Sequence, residues 1–70
     1  MKFRIIKHMT KYAIQEKSFW WWRTIRYGDY ETPYPDSMDG TIIKFDTVDG
    51  AKQWLYEVFW TKYELVSEPT

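Results

Sequence analysis

The run Phe19-Trp20-Trp21-Trp22 constrains the fold more than any other feature of this sequence. Successive side chains of a β-strand point to opposite faces of a sheet, so these adjacent rings cannot all enter one core. Large clustered apolar surfaces are seldom left in water. The remaining rings therefore need a cover, which can be a bulge that turns them inward, a second copy of the chain, or a partner molecule.

Size limits how such a chain can be stabilised. The 70 residues predict one domain, 1–70, and a chain that short buries only about 60% of the surface that its unfolded form exposes. Because there is no cysteine and only one histidine, His8, we expect neither disulfides nor a structural metal site. An aromatic content of 21% and self-association as a homodimer are the remaining sources of stability.

The first half of the chain predicts strands. Apolar residues between Lys2 and Glu16 change parity between Ile5 and Ile6, which indicates a bulge or a short break near 8–10 in this strand. A second strand is predicted from Phe19 to Tyr27, because this stretch is rich in aromatic and β-branched residues. The turn between them is predicted at 16–18, with a possible extension into Phe19 and Trp20.

The second half predicts a loop, a strand and a helix. Residues 28–40 are rich in Gly, Pro and Asp, which indicates a loop. A third strand is expected at 41–45, followed by a helix with Thr47 as its N-cap. Apolar residues then recur at helical spacing, at Val48, Ala51, Trp54, Leu55, Val58 and Phe59. With a possible last strand within 62–68, the order β-β-loop-β-α predicts an α+β fold, a small antiparallel sheet of three or four strands with one helix on one face.

One face of such a sheet stays open, and we assign the binding residues partly to it. The side chains of the second strand that share a face with Ile25 are predicted to lie under the helix, so the alternate set lies on the open side. The acidic loop is either an ordinary solvated connection or an interaction surface, since Tyr supplies contact area and acids attract basic partners. The predicted partner-binding residues are Trp20, Trp22, Arg26, Tyr30, Tyr34, Asp36 and Asp39.

Charge is unevenly distributed although the net charge is zero. Residues 1–28 hold seven basic residues and one acid, giving +6, whereas residues 29–70 hold nine acids and three lysines, giving −6. This asymmetry has two explanations. Either it marks an acidic partner, or basic and acidic strands lie beside each other in one sheet and pair.

The residues predict no catalytic site, metal site or cofactor. His8 has no carboxylate neighbour in sequence and is interpreted as a surface or packing residue, and the loop acids lack the calcium-loop pattern. The chain is therefore not expected to be an enzyme. A stacking face for single-stranded nucleic acid, formed by Trp20, Trp22, Arg23 and Arg26, is the alternative function. No apolar stretch is long enough to span a membrane, so we expect a cytoplasmic protein without a membrane partner.

Four segments together resemble a pattern in small uncharacterised proteins of tailed bacteriophages. They are Lys11-Tyr12-Ala13-Ile14-Gln15, Trp22-Arg23-Thr24-Ile25, Phe45-Asp46-Thr47 and Ala51-Lys52-Gln53-Trp54-Leu55. The sequence departs from the commoner form at Gly50, where Glu is usual. The resemblance implies no catalytic residues. It implies a phage-encoded accessory protein that binds and inhibits a host protein in the host cytoplasm.

Overall fold

A computed structural model describes residues 1–69, and over these residues the predicted α+β class is confirmed. A four-stranded sheet, in the order β3-β2-β1-β4, carries one α-helix on one face. The elements are β1 (Lys2–His8), β2 (Lys11–Ser18), β3 (Trp21–Thr24), a 3-10 turn (Asp36–Met38), α1 (Val48–Phe59) and β4 (Glu64–Ser67).

Two tight hairpins connect the first three strands. The segment 2–16, predicted as one strand with a bulge or short break near 8–10, is two strands joined by a two-residue turn at Met9-Thr10, because His8 pairs with Lys11. The second hairpin turns at 19–20 and not at 16–18, since β2 and β3 remain paired as far as Ser18 and Trp21. The extension of the turn into Phe19 and Trp20 is therefore confirmed.

The sheet is mixed, because β4 lies parallel to β1. The helix explains this direction. Its C-terminal residue Phe59 packs on Phe3 with ring centroids 4.8 Å apart, so α1 runs back across the sheet toward the end where β1 begins. The chain then enters β4 beside Lys2 and must follow the direction of β1, as a helical crossover requires. The fourth strand was predicted only as a possibility, and the prediction of a wholly antiparallel sheet is wrong for it.

The predicted third strand at 41–45 does not form a regular strand. Only two isolated bridges occur, Arg26 with Ile42 and Tyr12 with Phe45. Tyr12 and Phe45 exchange two backbone hydrogen bonds of 2.8 Å, whereas the amide of Ile43 donates to a different neighbour, the carbonyl of Ile25. The segment bonds first to residues 25–27, which follow β3, and then to Tyr12 of β2, so it completes no ladder with either.

The loop 28–40 is closed at its base by backbone hydrogen bonds. The amide of Tyr27 donates to the carbonyl of Thr41, and the amide of Gly40 donates to the carbonyl of Tyr27, each at 2.9 Å. Gly28 has φ 101°, a backbone conformation that residues with a side chain rarely adopt, so glycine is strongly favoured there.

The helix begins as predicted. The side chain of Thr47 accepts a hydrogen bond from the amide of Gly50 at 3.0 Å. Ala51 and Leu55 are fully buried against the sheet. The buried core on this side of the sheet consists of Phe3, Ile5, Ile14, Ile25, Ile43, Ala51 and Leu55. We call the sheet surface that α1 covers the helix face, and the opposite surface the open face.

Candidate functional site

Three aromatic side chains project from the second hairpin. Phe19 is 86% exposed, Trp20 90% and Trp21 59%, and together they border a shallow, wholly apolar depression. We call these three residues the aromatic turn. Of the described residues, Trp20 is the most exposed large hydrophobic one. The hairpin places it beyond the last pair of the ladder, so no element of residues 1–69 covers it.

The backbone of the aromatic turn is strained. Phe19 has φ 46°, a left-handed conformation that two-residue turns usually give to Gly, Asn or Asp. A bulky residue there costs on the order of 1 kcal/mol or more. Met9, in the other hairpin, shows the same combination, with φ 59° and 83% exposure. Met9 stands alone, however, whereas Phe19 is followed by two exposed Trp side chains.

A further exposed ring lies at the same end of the sheet. Trp60 ends α1, is 67% exposed and packs on Tyr56 at 6.0 Å between centroids. The preceding residue, Phe59, packs on Phe3, which pairs with Glu16 close to the second hairpin. Tyr56 and Trp60 are not among the apolar residues that recur at helical spacing, and both side chains are exposed.

Trp22 lies on the open face, as predicted, but cationic side chains of the same chain cover it. The guanidinium carbon of Arg4 is 4.4 Å from the ring centroid of Trp22, and Lys17 Nζ is 5.4 Å from it. Arg4 Nε also donates to Gln15 Oε1 at 2.8 Å, and Gln15 Nε2 donates to Thr24 Oγ1 at 3.0 Å. The sequence pattern did not indicate this cover, because Arg4 and Trp22 come together only through the pairing of three strands.

The open face is basic. Strand register and alternation place on it the cations Lys2, Arg4, Lys11, Lys17 and Arg26, with one strand acid, Glu64. Among these cations only Lys11 forms an ion pair within residues 1–69, with Asp46 at 2.6 Å, which lowers the pKa of that carboxyl. Strands of opposite charge thus pair little, since only Arg23 and Glu16 form an ion pair between neighbouring strands in this part of the chain.

The acidic loop splits into two environments. Tyr30 packs edge-on against Phe59, with centroids 4.9 Å apart, and its hydroxyl donates to Glu16. Burial, reinforced by that carboxylate, raises the pKa of Tyr30. Tyr34 instead packs on Tyr27 and donates to Asp39 at 2.6 Å, and this hydrogen bond raises the pKa of Tyr34.

The predicted binding residues therefore do not form one surface. Trp20 lies in the aromatic turn, and Trp22 and Arg26 lie on the open face. Tyr30 packs against the core on the helix face. Tyr34 and Asp39 instead form a hydrogen bond with each other in the loop, close in sequence to Asp36 of the 3-10 turn.

The residues predicted to stack on nucleic acid are also separated. Arg23 lies on the helix face, where it forms ion pairs with Glu16 and, at 3.0 Å, with Asp29. Glu16 raises the pKa of Arg23, since the hydrogen bond to its carboxylate favours the charged guanidinium. Trp20, Trp22, Arg23 and Arg26 thus divide among the turn and both faces of the sheet.

Over residues 1–69, His, Cys, Asp and Glu form no cluster that could hold a metal ion. The Nδ1 atom of His8 is buried and has no hydrogen-bond partner in the same range. In the described part of the chain, no helix has the length and apolar character that crossing a membrane requires.

No protein-family model matches this chain, and neither does any curated protein or solved structure.

Proposed function

We propose that this chain is a non-enzymatic protein-binding module whose contact surface is the aromatic turn. One observation carries the proposal: Phe19, Trp20 and Trp21 are neighbouring, largely exposed rings on a backbone that is strained at Phe19. Strained backbone that the fold retains is concentrated at functional sites. Exposed aromatic clusters of this kind are typical of interaction surfaces.

The chemistry of the turn suits an anchor that enters a pocket of another protein. Trp is enriched among the few residues that dominate interface energies, because its ring buries a large area and loses little rotamer freedom. The two-residue hairpin is already fixed by the pairing of Ser18 with Trp21. Binding therefore requires little further ordering of the backbone, which favours affinity.

The resemblance to small proteins of tailed phages supports a host protein as the partner and inhibition in the host cytoplasm as the outcome. The acidic loop, with Tyr34, Asp36 and Asp39 exposed or half-exposed, is proposed as a secondary contact surface. A homodimer is the other arrangement proposed from the sequence, and it would cover the same rings with a second copy of the chain.

Site-specific photo-crosslinking tests the proposal. Benzoylphenylalanine replaces Trp20 in one variant and Met9 in a matched control, since both positions are exposed apolar residues in two-residue turns. In a lysate of the natural host, the probe at position 20 should yield one discrete adduct. Excess unlabelled wild type should compete for it, and the Trp21→Ser variant should not. Identical adducts from positions 20 and 9 would contradict the proposal.

Analytical ultracentrifugation then decides whether a second copy occupies the turn. If the homodimer uses it, wild type should sediment as a dimer and Trp20→Ser as a folded monomer, because a side chain that is 90% exposed contributes little to folding. A wild-type monomer over a wide concentration range excludes the homodimer. In that case the protein found in the crosslinked adduct is the partner of the aromatic turn.

A further inference from the structure

Arg4 is held in place by neutral groups and lacks a counter-ion. Its Nε atom donates to Gln15, its guanidinium lies over the Trp22 ring, and Gln15 is itself fixed by Thr24. Within residues 1–69 no carboxylate forms an ion pair with Arg4. The two terminal nitrogens donate to no other side chain in this range, so the planar donor group that suits phosphate or carboxylate oxygens is free.

Further cations extend the site along the open face. Lys17 borders the same Trp22 ring, and Lys2 lies next to Arg4 on the same side of β1. A second group consisting of Lys11, Arg26 and Lys44 lines a shallow cleft of about 550 Å³ at the other end of β2. From Lys17 to Lys11 the strand spans roughly 20 Å at 3.3–3.4 Å per residue. The positively charged surface is therefore longer than a single phosphate or carboxylate group, and it can contact several of them at once.

We infer that the open face binds the phosphate backbone of a single-stranded nucleic acid, with Arg4 and Lys17 as its central contacts. Charge complementarity favours a polyanion, because this face carries five cations, of which only Lys11 is paired with a carboxylate, and one strand acid. The guanidinium stacked on Trp22 offers a flat cationic surface on which an unpaired base can stack. The bases of a duplex are already stacked on each other, so a single strand fits better.

This surface is distinct from the aromatic turn. Trp22 and Arg4 lie on the open face, whereas the turn projects beyond the end of the ladder. The Trp/Arg platform predicted from the sequence included Trp20 and Arg23, which the structure places elsewhere. The cations beside Trp22 are instead Arg4 and Lys17, which the sequence pattern did not indicate.

Fluorescence anisotropy of a labelled oligothymidine tests the inference at low salt. Wild type should bind, Arg4→Gln and Lys17→Gln should each weaken binding several-fold, and the salt slope should fall by about 0.7 for each lost phosphate contact. Lys7→Gln is the matched control, because it removes one exposed charge from the same strand but on the side shared with Tyr12. Lys7→Gln should change the affinity less than twofold, because Lys7 makes no phosphate contact in the proposed site.

Further arms separate this inference from its competitors. Arg4→Lys keeps the charge and loses the planar stack, so it should bind more weakly than wild type and more tightly than Arg4→Gln. Thermal unfolding shows whether Arg4→Gln remains folded, and Lys17→Gln replaces it if not. Trp20→Ser should bind the strand like wild type, which distinguishes this site from the proposed protein contact.

Four results would overturn the inference. They are no binding by wild type at low salt, equal losses with Lys7→Gln and Arg4→Gln, equally tight binding of a duplex, and displacement by polyglutamate as efficient as by unlabelled oligothymidine. The last result would instead assign the face to an acidic protein.

Discussion

The molecule holds two groups of aromatic residues with opposite surroundings. In the first, Phe3, Tyr30, Trp54 and Phe59 pack against one another, with Phe3 completely buried. In the second, the three rings of the aromatic turn lie mostly in water. Both groups contain Phe and Trp. The aromatic content of a small chain therefore indicates how much apolar surface it has. It does not indicate which part of that surface is buried and which is exposed.

The reach of the helix accounts for the difference. The C-terminal end of α1 covers Phe3, and the strand partner of Phe3 is Glu16. The hairpin continues past that pair to Ser18 and Trp21, so its turn extends beyond the last residue of the helix. A ring on the helix face is buried only if the helix reaches it. Trp21 shares that face with Arg23 and is still more than half exposed.

The largest expected effect distinguishes the two groups by stability. Phe3→Ala should lower the free energy of unfolding by about 3–5 kcal/mol, because it removes a fully buried ring that contacts Phe59 and Tyr63. That loss is comparable to the whole stability of a domain of this size, about 0.05–0.15 kcal/mol per residue. Urea denaturation measures it. The control Phe19→Ala should change the same quantity by less than about 0.5 kcal/mol, and equal losses would refute the division into two groups.

A smaller effect tests the polar edge of the buried group. Tyr30→Phe should cost about 1 kcal/mol at neutral pH, since it removes the hydrogen bond to Glu16 and leaves that carboxylate paired with Arg23. The pKa of Tyr30 is raised in the fold, so the folded state keeps its proton where the unfolded chain loses it. The resulting stability is complete below the ordinary pKa near 10 and is lost as the pH rises beyond it.

Wild type should therefore lose stability above about pH 10 more steeply than the Tyr30→Phe variant. Denaturant titrations at several alkaline pH values measure this difference. Tyr56→Phe, at an exposed position of α1, serves as the control. Parallel curves for wild type and Tyr30→Phe would show that the Tyr30 proton is not linked to folding.

The smallest expected effect has the opposite sign. Phe19→Gly should raise the free energy of unfolding by roughly 0.5–1 kcal/mol, because glycine adopts the positive φ of this position without strain. The same change should abolish the proposed crosslink at the turn. Met9→Gly should stabilise the fold by a similar amount and leave the crosslink intact. If Phe19→Gly destabilises the protein, the ring supports the fold and is not retained for binding.

Local chemistry was sufficient for the helix. The cap at Thr47 and the apolar arc from Val48 to Phe59 depend on residues within a few positions of one another, and both are confirmed. The second hairpin was harder, because its turn places Phe19 where local rules favour glycine or asparagine. The first hairpin was not predicted, because the change of parity within 2–16 indicated only a bulge or a short break in one strand.

Features that depend on contacts between distant residues could not be predicted from the sequence. The direction of β4 depends on how α1 crosses the sheet, and no local pattern records that path. The failure of 41–45 to form a strand arises because its hydrogen bonds are divided between residues 25–27 and Tyr12. The cover over Trp22 requires Arg4, Gln15 and Thr24 to come together from three strands. The sequence could therefore indicate individual site residues. Which of these residues lie together could be seen only in the structure.

The closed base of the loop 28–40 has a practical consequence. Because Tyr27 is bonded to both Gly40 and Thr41, the chain leaves and re-enters the domain at nearly the same point. The fold therefore does not depend on an unbroken tether near the 3-10 turn. A peptide epitope inserted there, or a new pair of termini made by circular permutation, should leave both the aromatic turn and the open face undisturbed.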